Sequence, residues 1–378
     1  MFKQLCTITA AALLTVATYA TAVEMREGHP SSYTVQSGDT LWDIAGRFLS
    51  KPWLWPEIWQ ANPQIENPHR IFPGDVISLA YLDGKPVLQV QTDQAGPRST
   101  AESAITTIPL REIAPFLRQS TIVQDIDDLP YVVSLEGERL RGVVGHVVYI
   151  RNLESASVGD TITISRPTYH FRLPAVRQRN NIIPGSLDHR GNETYTDWSS
   201  VWGTTISRDG ESLGYELTTQ ASARITQVQG EVAIALLVEG TADVRAGDRV
   251  MPFESKPYDD NYFPQAPTSV PETAAVLAVA DASFAAGPRS VVALAVGSSD
   301  GVKNGTVFST WRPGNAVPDD VAHSNWLRSQ ADKVQLPDEF TGRVLVFRTF
   351  ERVSYALVMD GIRPVQVGDR LKHPDATQ

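Results

Sequence analysis

The pattern of apolar residues is clearest between residues 33 and 80. Apolar residues recur there at intervals of three and four, which predicts one buried stripe on a helix, formed by Leu41, Ile44, Ala45 and Phe48. Pro56 starts a second helix, because proline is tolerated in the first turn. Short runs of β-forming residues flank the two helices. The stretch therefore predicts a compact strand-helix-helix-strand unit.

The remainder of the chain alternates Val, Ile and Tyr with frequent Gly and Pro, which predicts β-strands joined by turns. A weak internal repeat of strand, polar turn, strand and closing Pro occurs four times, beginning at Gly145, Gly230, Ser290 and Arg352. Because the copies are unevenly spaced, the pattern favours two β-rich domains, residues 128–253 and 272–378, over a solenoid or propeller. A proline-rich linker is predicted between them at residues 254–271.

Each copy of the repeat contains a glycine followed by Asp or Thr. The pairs are Gly159-Asp160, Gly247-Asp248, Gly305-Thr306 and Gly368-Asp369. Glycine allows a positive φ angle, and the oxygen of the next side chain can accept a hydrogen bond from the turn backbone. A metal or catalytic role for the aspartates is the alternative, but Thr306 replaces one of them without disturbing the pattern. The pairs are therefore interpreted as turns.

Residues 81–127 are predicted to be a linker that contains one short amphipathic helix. Residues 94–103 are polar and include Gly96-Pro97, as is typical of a linker. The sequence ITTIPLREIAPFL, which begins at Ile105, spaces its apolar residues as on one face of a helix. We expect this element to dock on the following domain.

The first 22 residues have the pattern of a secretory signal peptide. Lys3 gives a positive start, the run from Leu5 to Ala17 is apolar, and Ala20-Thr21-Ala22 is a small-residue cleavage site. We expect cleavage after Ala22 and export of the remaining chain. A membrane anchor is the alternative, but the apolar run is shorter than the ~20 residues that span a bilayer.

Composition narrows the chemistry of the exported chain. The sole cysteine, Cys6, lies in the predicted signal peptide, so no disulfide and no cysteine nucleophile are expected. The formal net charge of −10 argues against nucleic acid as a partner, because phosphate binding needs clustered Lys and Arg. The 7 histidines form no H-x-H or H-E-x-x-H zinc motif, and no cofactor or metal is expected.

Four short motifs distinguish residues 33–80: Tyr33-Thr34-Val35, Gly38-Asp39-Thr40-Leu41, Ile44-Ala45 and Ile71-Phe72-Pro73-Gly74-Asp75-Val76-Ile77. Together they resemble a LysM domain. The resemblance implies a shallow groove that binds N-acetylglucosamine glycans such as peptidoglycan or chitin. A LysM domain followed by a long β-rich region is also similar to LysM-bearing envelope proteins of Gram-negative bacteria, which implies a location in the periplasm or cell envelope.

The same resemblance implies which residues form the groove. The first wall would be Gly38, Asp39, Thr40 and Leu41, and the second Ile65, Asn67, Arg70, Ile71 and Phe72. Trp53, in an aromatic insertion between the helices, is a candidate for stacking on a sugar ring, and the alternative is that it covers an apolar patch. Structural roles also stay open, in the turn and helix cap for Gly38 and Asp39 and in the core for Leu41 and Ile71.

We therefore expect a multidomain protein, with a small α+β LysM domain followed by mainly-β domains. Its expected function is non-catalytic glycan binding, as a tether or scaffold that also binds another envelope protein. The alternative is a peptidoglycan-remodelling enzyme or its regulator, with the catalytic or partner-binding surface in the β-rich region.

Overall fold

The structure is a computed structural model. It describes residues 23–59, 71–82, 85–91, 105–109, 113–114, 116, 120–154, 156–173, 211–253, 262–280, 285–318 and 333–377. The predicted signal peptide and the predicted groove residues Ile65, Asn67 and Arg70 lie outside these ranges.

The amino-terminal unit has the predicted β-α-α-β order. Its elements are β1 (Ser32–Thr34), α1 (Leu41–Phe48), a 3-10 turn (Pro52–Leu54), α2 (Trp55–Trp59), β2 (Val76–Leu82) and β3 (Lys85–Gln91). The three strands form one antiparallel sheet with β2 in the middle. The apolar stripe predicted on α1 is buried in the core of this unit.

Strand β3 lies inside the range that the sequence predicted to be a linker. It pairs with β2 along its whole length, from Val76 opposite Gln91 to Leu82 opposite Lys85. Asp83-Gly84, which separates the two strands in sequence, is a strong hairpin signal. Leu88 of β3 is 1% exposed and completes the core of the unit. The linker prediction is therefore wrong for residues 85–91.

The first β-rich sheet forms a closed barrel. Its strands are β4 (Ser120–Val123), β5 (Tyr131–Leu135), β6 (Val147–Arg151), β7 (Thr161–Leu173), β8 (Glu211–Gln229), β9 (Val232–Gly240) and β10 (Arg249–Pro252). The strand order is β4-β8-β7-β10-β5-β6-β9, and an additional pairing of β8 with β9 closes the ring. Strand β4 pairs with the outer part of β8 and lies before residue 128, where the sequence placed the domain boundary.

The second sheet is ordered β11-β13-β18-β17-β14-β20. The strands of this region are β11 (Val276–Val279), β12 (Ala285–Ala286), β13 (Val291–Leu294), β14 (Val307–Arg312), β15 (Ala316–Pro318), β16 (Lys333–Gln335), β17 (Glu339–Thr349), β18 (Ser354–Gly361), β19 (Val365–Gln366) and β20 (Arg370–Lys372). A β-bridge between Ala275, which precedes β11, and Arg370 of β20 joins the two edges of the second sheet. We call the two sheets the first and second barrels. The fold class is confirmed: a β-α-α-β unit precedes a region built mostly of β-sheet.

The four predicted Gly-Asp and Gly-Thr turns have one geometry. Their glycines, Gly159, Gly247, Gly305 and Gly368, have φ angles of 99°, 91°, 91° and 89°. In each turn the next side chain accepts the backbone N–H three residues earlier, at 2.9 Å in Asp160, 2.7 Å in Asp248, 3.1 Å in Thr306 and 2.9 Å in Asp369. Among the described residues, no group of three or more His, Cys, Asp or Glu could hold a metal ion. The turn interpretation is confirmed.

One apolar cluster joins all three parts of the molecule. Residues of the predicted amphipathic element, Ile113 and Phe116, are buried in it, and the Phe116 ring lies 6.0 Å from that of Tyr355 in the second barrel. Tyr355 also donates a hydrogen bond of 2.6 Å to Glu216 of the first barrel. The element therefore docks against both barrels.

The described part of the predicted proline-rich linker, residues 262–271, lies against the second barrel. The N–H of Gln265 donates to the carbonyl of Gly305 at 3.0 Å, and Tyr262 is completely buried.

No helix among the described residues has the length and apolar character to cross a membrane.

Candidate functional site

The first wall of the predicted groove begins with a tight turn. Gly38 has a φ angle of 91°, which favours glycine. The carboxylate of Asp39 accepts the N–H of Gln36 and the hydroxyl of Tyr33, both at 2.8 Å. Burial, and then the neighbouring Asp39, raises the pKa of Tyr33, so this hydroxyl stays a donor at neutral pH. Asp39 therefore holds the turn, as the structural alternative predicted.

Thr40 caps helix α1 and fixes the direction of the backbone behind the turn. Its hydroxyl oxygen accepts the N–H of Asp43 at 3.2 Å, and its hydroxyl donates to the carboxylate of Asp43 at 2.8 Å. A side-chain cap satisfies one of the first free amides of a helix. The N–H groups of Leu41 and Trp42, which begin the helix, form their hydrogen bonds outside the helix.

The second wall is a turn of the same kind. The carboxylate of Asp75 accepts the N–H of Phe72 at 3.0 Å, and Gly74 has a φ angle of 94°. Val35 ties this turn to the first wall, since it accepts the N–H of Gly74 at 2.8 Å and donates to the carbonyl of Asp75 at 2.9 Å. The two loops that the resemblance predicted as walls are therefore held side by side, although only Ile71 and Phe72 of the second wall are described.

A segment from outside residues 33–80 lies between the two walls. We call this segment, Ile105–Ile108, the strap. Its first N–H, from Ile105, donates to the carbonyl of Ile71 at 2.9 Å. The side chain of Ile105 is 5% exposed and packs into the core that also contains Leu41 and Ile71.

The strap also binds the first wall. The carbonyl of Thr106 accepts the N–H of Leu41 at 3.0 Å, and the carbonyl of Thr107 accepts the N–H of Trp42 at 3.4 Å. Thr106 lies beside Thr40 in a parallel β-bridge. The strap thus uses both N–H and C=O groups to bridge the walls.

The opposite side of the strap contacts the rest of the molecule. Thr107 is 1% exposed, and its hydroxyl oxygen accepts the N–H of Tyr262 at 3.3 Å. Ile108 is completely buried in the apolar cluster that includes Tyr355 of the second barrel. The strap is therefore held from the groove side and from the barrel side.

Gly38 and Asp39 border a different surface from Thr40 and Leu41. They line a cleft of about 640 Å³ between α1 and the second barrel. The charged residues of this cleft are Arg26, Asp39, Asp43, Arg47, Arg289, Arg343 and Asp360. Arg289 lies 3.8 Å from Asp43, and Arg343 lies 3.1 Å from Asp360. The predicted first wall is therefore divided between this cleft and the strap.

Trp53 has the packing role and not the exposed role. Its side chain is 3% exposed, because the second barrel covers the aromatic insertion. The guanidinium of Arg343 lies 4.3 Å from the centre of the Trp53 ring, within the range of a cation-π contact. Trp53 thus fixes the amino-terminal unit on the second barrel, and the prediction that it offers a face to sugar is wrong.

Three features of the structure were not predicted from the sequence. The N–H of Trp42 faces the groove beside that of Leu41, and helix position alone could have suggested it. The strap has no local signal, because its role depends on contacts between residues far apart in sequence. Gly297-Ser298-Ser299-Asp300-Gly301 has the spacing of a serine-hydrolase elbow, but it forms a 3-10 turn in which Ser299 donates to the carbonyl of Glu351 at 2.7 Å.

Comparison with known proteins identifies the domain formed by residues 33–80. A family model for the LysM domain matches residues 33–80. The uncharacterized protein YqbP of Bacillus subtilis (strain 168) is 40% identical to this chain in an alignment of 60 residues that covers 13% of this chain and 27% of YqbP. The chain thus spans about a quarter of the length of this relative. Residues 33–80 form a LysM domain, a module that binds peptidoglycan and related N-acetylglucosamine glycans.

Proposed function

We propose that this protein is a non-catalytic, exported envelope protein that binds peptidoglycan through its LysM domain. The observation that carries the proposal is the LysM match at residues 33–80 together with the pair of walls that the structure holds side by side. The predicted signal peptide supports a periplasmic location. The barrels serve as a scaffold that binds another envelope protein.

The chemistry of the groove suits an N-acetyl group, which offers an amide N–H, a carbonyl oxygen and a methyl group. The N–H groups of Leu41 and Trp42 are donors for the carbonyl, and the carbonyl of Ile71 is an acceptor for the N–H. The side chains of Leu41 and Ile71 supply an apolar floor. Binding needs no general acid, so the site works without a catalytic residue.

The proposal that the barrels bind a partner rests on the low affinity expected of a single shallow glycan site. A single groove buries little ligand surface and gives modest affinity. A second contact made by the same molecule raises retention at the wall, because the linked binding event becomes intramolecular.

Co-sedimentation with purified sacculi tests the glycan site. Leu41→Pro removes the N–H that faces the groove, and it suits the first position of a helix. Thr40, with φ −118° and ψ 163°, already has the conformation that precedes proline. Leu41→Ala is the matched control, because it also shortens the buried side chain but keeps the N–H.

Both variants lose part of the apolar floor, and we expect Leu41→Pro to bind sacculi more weakly than Leu41→Ala, because only the proline variant also lacks the N–H. Equal retention of the wild type and Leu41→Pro would place the glycan site outside the groove. In the same assay, dye-labelled sacculi should release no soluble fragments. Release above a no-protein control would contradict the non-catalytic role.

A further inference from the structure

The LysM groove already contains a ligand-like segment of the same chain. The strap crosses it between the two walls and makes three backbone hydrogen bonds, to the N–H groups of Leu41 and Trp42 and to the carbonyl of Ile71. These are the groups that the proposed function assigns to an acetamido group. A glycan cannot use them while the strap is in place.

The strap resembles an N-acetyl group in its chemistry. Its peptide units offer an amide N–H and a carbonyl, and the side chain of Ile105 supplies methyl groups to the apolar floor. The four residues Ile105–Ile108 carry no charge. A peptide and an acetylated sugar that use the same donors, acceptor and floor exclude each other.

We infer that the strap is a built-in competitor that keeps the LysM groove closed, and that peptidoglycan binds by displacing it. This inference rests on the proposed function. Apparent affinity for glycan is reduced by the fraction of molecules in which the groove is open. The chain therefore binds peptidoglycan more weakly than its groove allows.

The anchor on the barrel side couples this closure to the rest of the molecule. Thr107 and Ile108 hold the strap against Tyr262 and the apolar cluster of the second barrel. Any event that weakens these contacts favours the open groove. Because coupling between two sites is reciprocal, glycan binding also weakens the contacts between the strap and the barrel. A partner that binds the second barrel near Tyr262 would thus control retention at the wall.

A reversible disulfide tests the inference directly. Thr40 and Thr106 are neighbours in a parallel β-bridge, where adjacent strands lie ~4.8 Å apart, and a disulfide spans Cα atoms about 4.4–6.8 Å apart. The full chain is made with Thr40→Cys and Thr106→Cys, and with Cys6→Ser so that no other thiol interferes. Binding to purified sacculi is titrated with the protein oxidised and then reduced.

A second variant opens the groove without new chemistry. Ile105→Ala removes buried strap contacts, and Ile162→Ala is the matched control because Ile162 is 6% exposed and packs in the core of the first barrel, a cluster that contains no strap residue. Thermal unfolding of each variant verifies that it is folded.

The inference predicts that the oxidised disulfide protein binds sacculi at least about tenfold more weakly than the reduced protein. It also predicts that Ile105→Ala binds about tenfold more tightly than the wild type, whereas Ile162→Ala does not. Equal binding of the oxidised and reduced forms would overturn the inference and leave the proposed function standing. Failure of every form to bind sacculi, including Ile105→Ala, would overturn both.

Discussion

The Gly38-Asp39 turn of the LysM domain and the Gly247-Asp248 turn of the first barrel have the same local structure. Both glycines have a φ angle of 91°, and both aspartates accept the N–H three residues earlier, at 2.8 Å and 2.7 Å. Their surroundings differ. The backbone after Asp248 enters β10 and pairs within the barrel, whereas the N–H of Leu41 faces the groove and the strap.

The difference shows which surroundings make a Gly-Asp turn part of a binding site. A Gly-Asp turn satisfies its own backbone and reverses the chain, so the motif alone predicts a turn. It becomes part of a binding site only where the following amides have no strand beside them. In the LysM domain that place is taken by the strap.

Removal of the Asp248 carboxylate should have the largest effect. Arg166 makes two hydrogen bonds to it, at 2.8 Å and 3.0 Å, and the two residues are 8% and 3% exposed. Asp248→Ala removes both bonds from this buried guanidinium and leaves the Asp243 carboxylate 4.0 Å away, so we expect a loss of about 3 kcal/mol in the free energy of unfolding. Asp160→Ala, in the exposed turn of the same barrel, should lose only about 1 kcal/mol. Urea denaturation measures both, and equal losses would contradict the distinction.

Alanine substitution at two glycines distinguishes backbone strain from a steric clash of the added Cβ atom. Gly305 and Gly38 both have a φ angle of 91°, but a Cβ atom at Gly305 would lie 2.2 Å from the carbonyl oxygen of Phe263, whereas one at Gly38 would have no atom within 4 Å. Gly305→Ala should cost about 3 kcal/mol of unfolding free energy. Gly38→Ala should cost about 1 kcal/mol, from the left-handed backbone alone. If the two costs were equal in thermal unfolding, backbone strain alone would explain both.

Loss of the barrel-side anchor should have a smaller, functional effect. Thr107→Val removes the oxygen that accepts the N–H of Tyr262 and keeps the shape of the side chain. The loss of this hydrogen bond should make the strap easier to displace by about 1 kcal/mol. The apparent affinity for sacculi should therefore rise about fivefold. Thr106→Val is the control. The Thr106 hydroxyl donates to the carbonyl of Ile108, so this hydrogen bond lies within the strap and does not join the strap to the barrel. An unchanged affinity in Thr107→Val would remove the link to the barrel.

Asp369 should give the smallest effect, visible in the pH dependence of stability. Burial raises its pKa, although the Gln366 N–H and Arg312 oppose the shift. The folded state therefore holds this proton more tightly than the unfolded chain, so stability falls as pH rises from the unfolded pKa, about 3.9, through the raised folded pKa. Asp369→Asn keeps an acceptor for the Gln366 N–H and cannot titrate. Urea unfolding across this window should show a flatter pH profile in Asp369→Asn, and an identical profile would contradict the assignment.

The sequence predicted the parts of this molecule that local chemistry decides. Helix α1 and the glycine turns depend on neighbours within four residues, and each has the expected geometry. The glycan-binding residues that the resemblance implies stay predictions. The internal repeat and the domain boundaries stay predictions, while the turns within the repeat have one common hydrogen bond.

Long-range packing decided the rest. Trp53 is buried because Arg343, 290 positions later in the sequence, lies over its ring. Residues 85–91 are an exception, because the Asp83-Gly84 hairpin signal before them favoured their pairing with β2. Ile105 has the apolar spacing of a helix, but its backbone bonds to Ile71 in the groove. No local pattern contains the contacts of Trp53 or Ile105.

Hydrogen exchange during glycan binding tests the central claim most directly. The full chain is saturated with a soluble N-acetylglucosamine oligomer, and amide exchange is followed at the strap and at the start of α1. We predict that Ile105 loses protection, because its N–H gives up the carbonyl of Ile71, while Leu41 and Trp42 stay protected by the sugar. Binding of the oligomer with unchanged protection at Ile105 would contradict the account, because the strap would then remain in the groove.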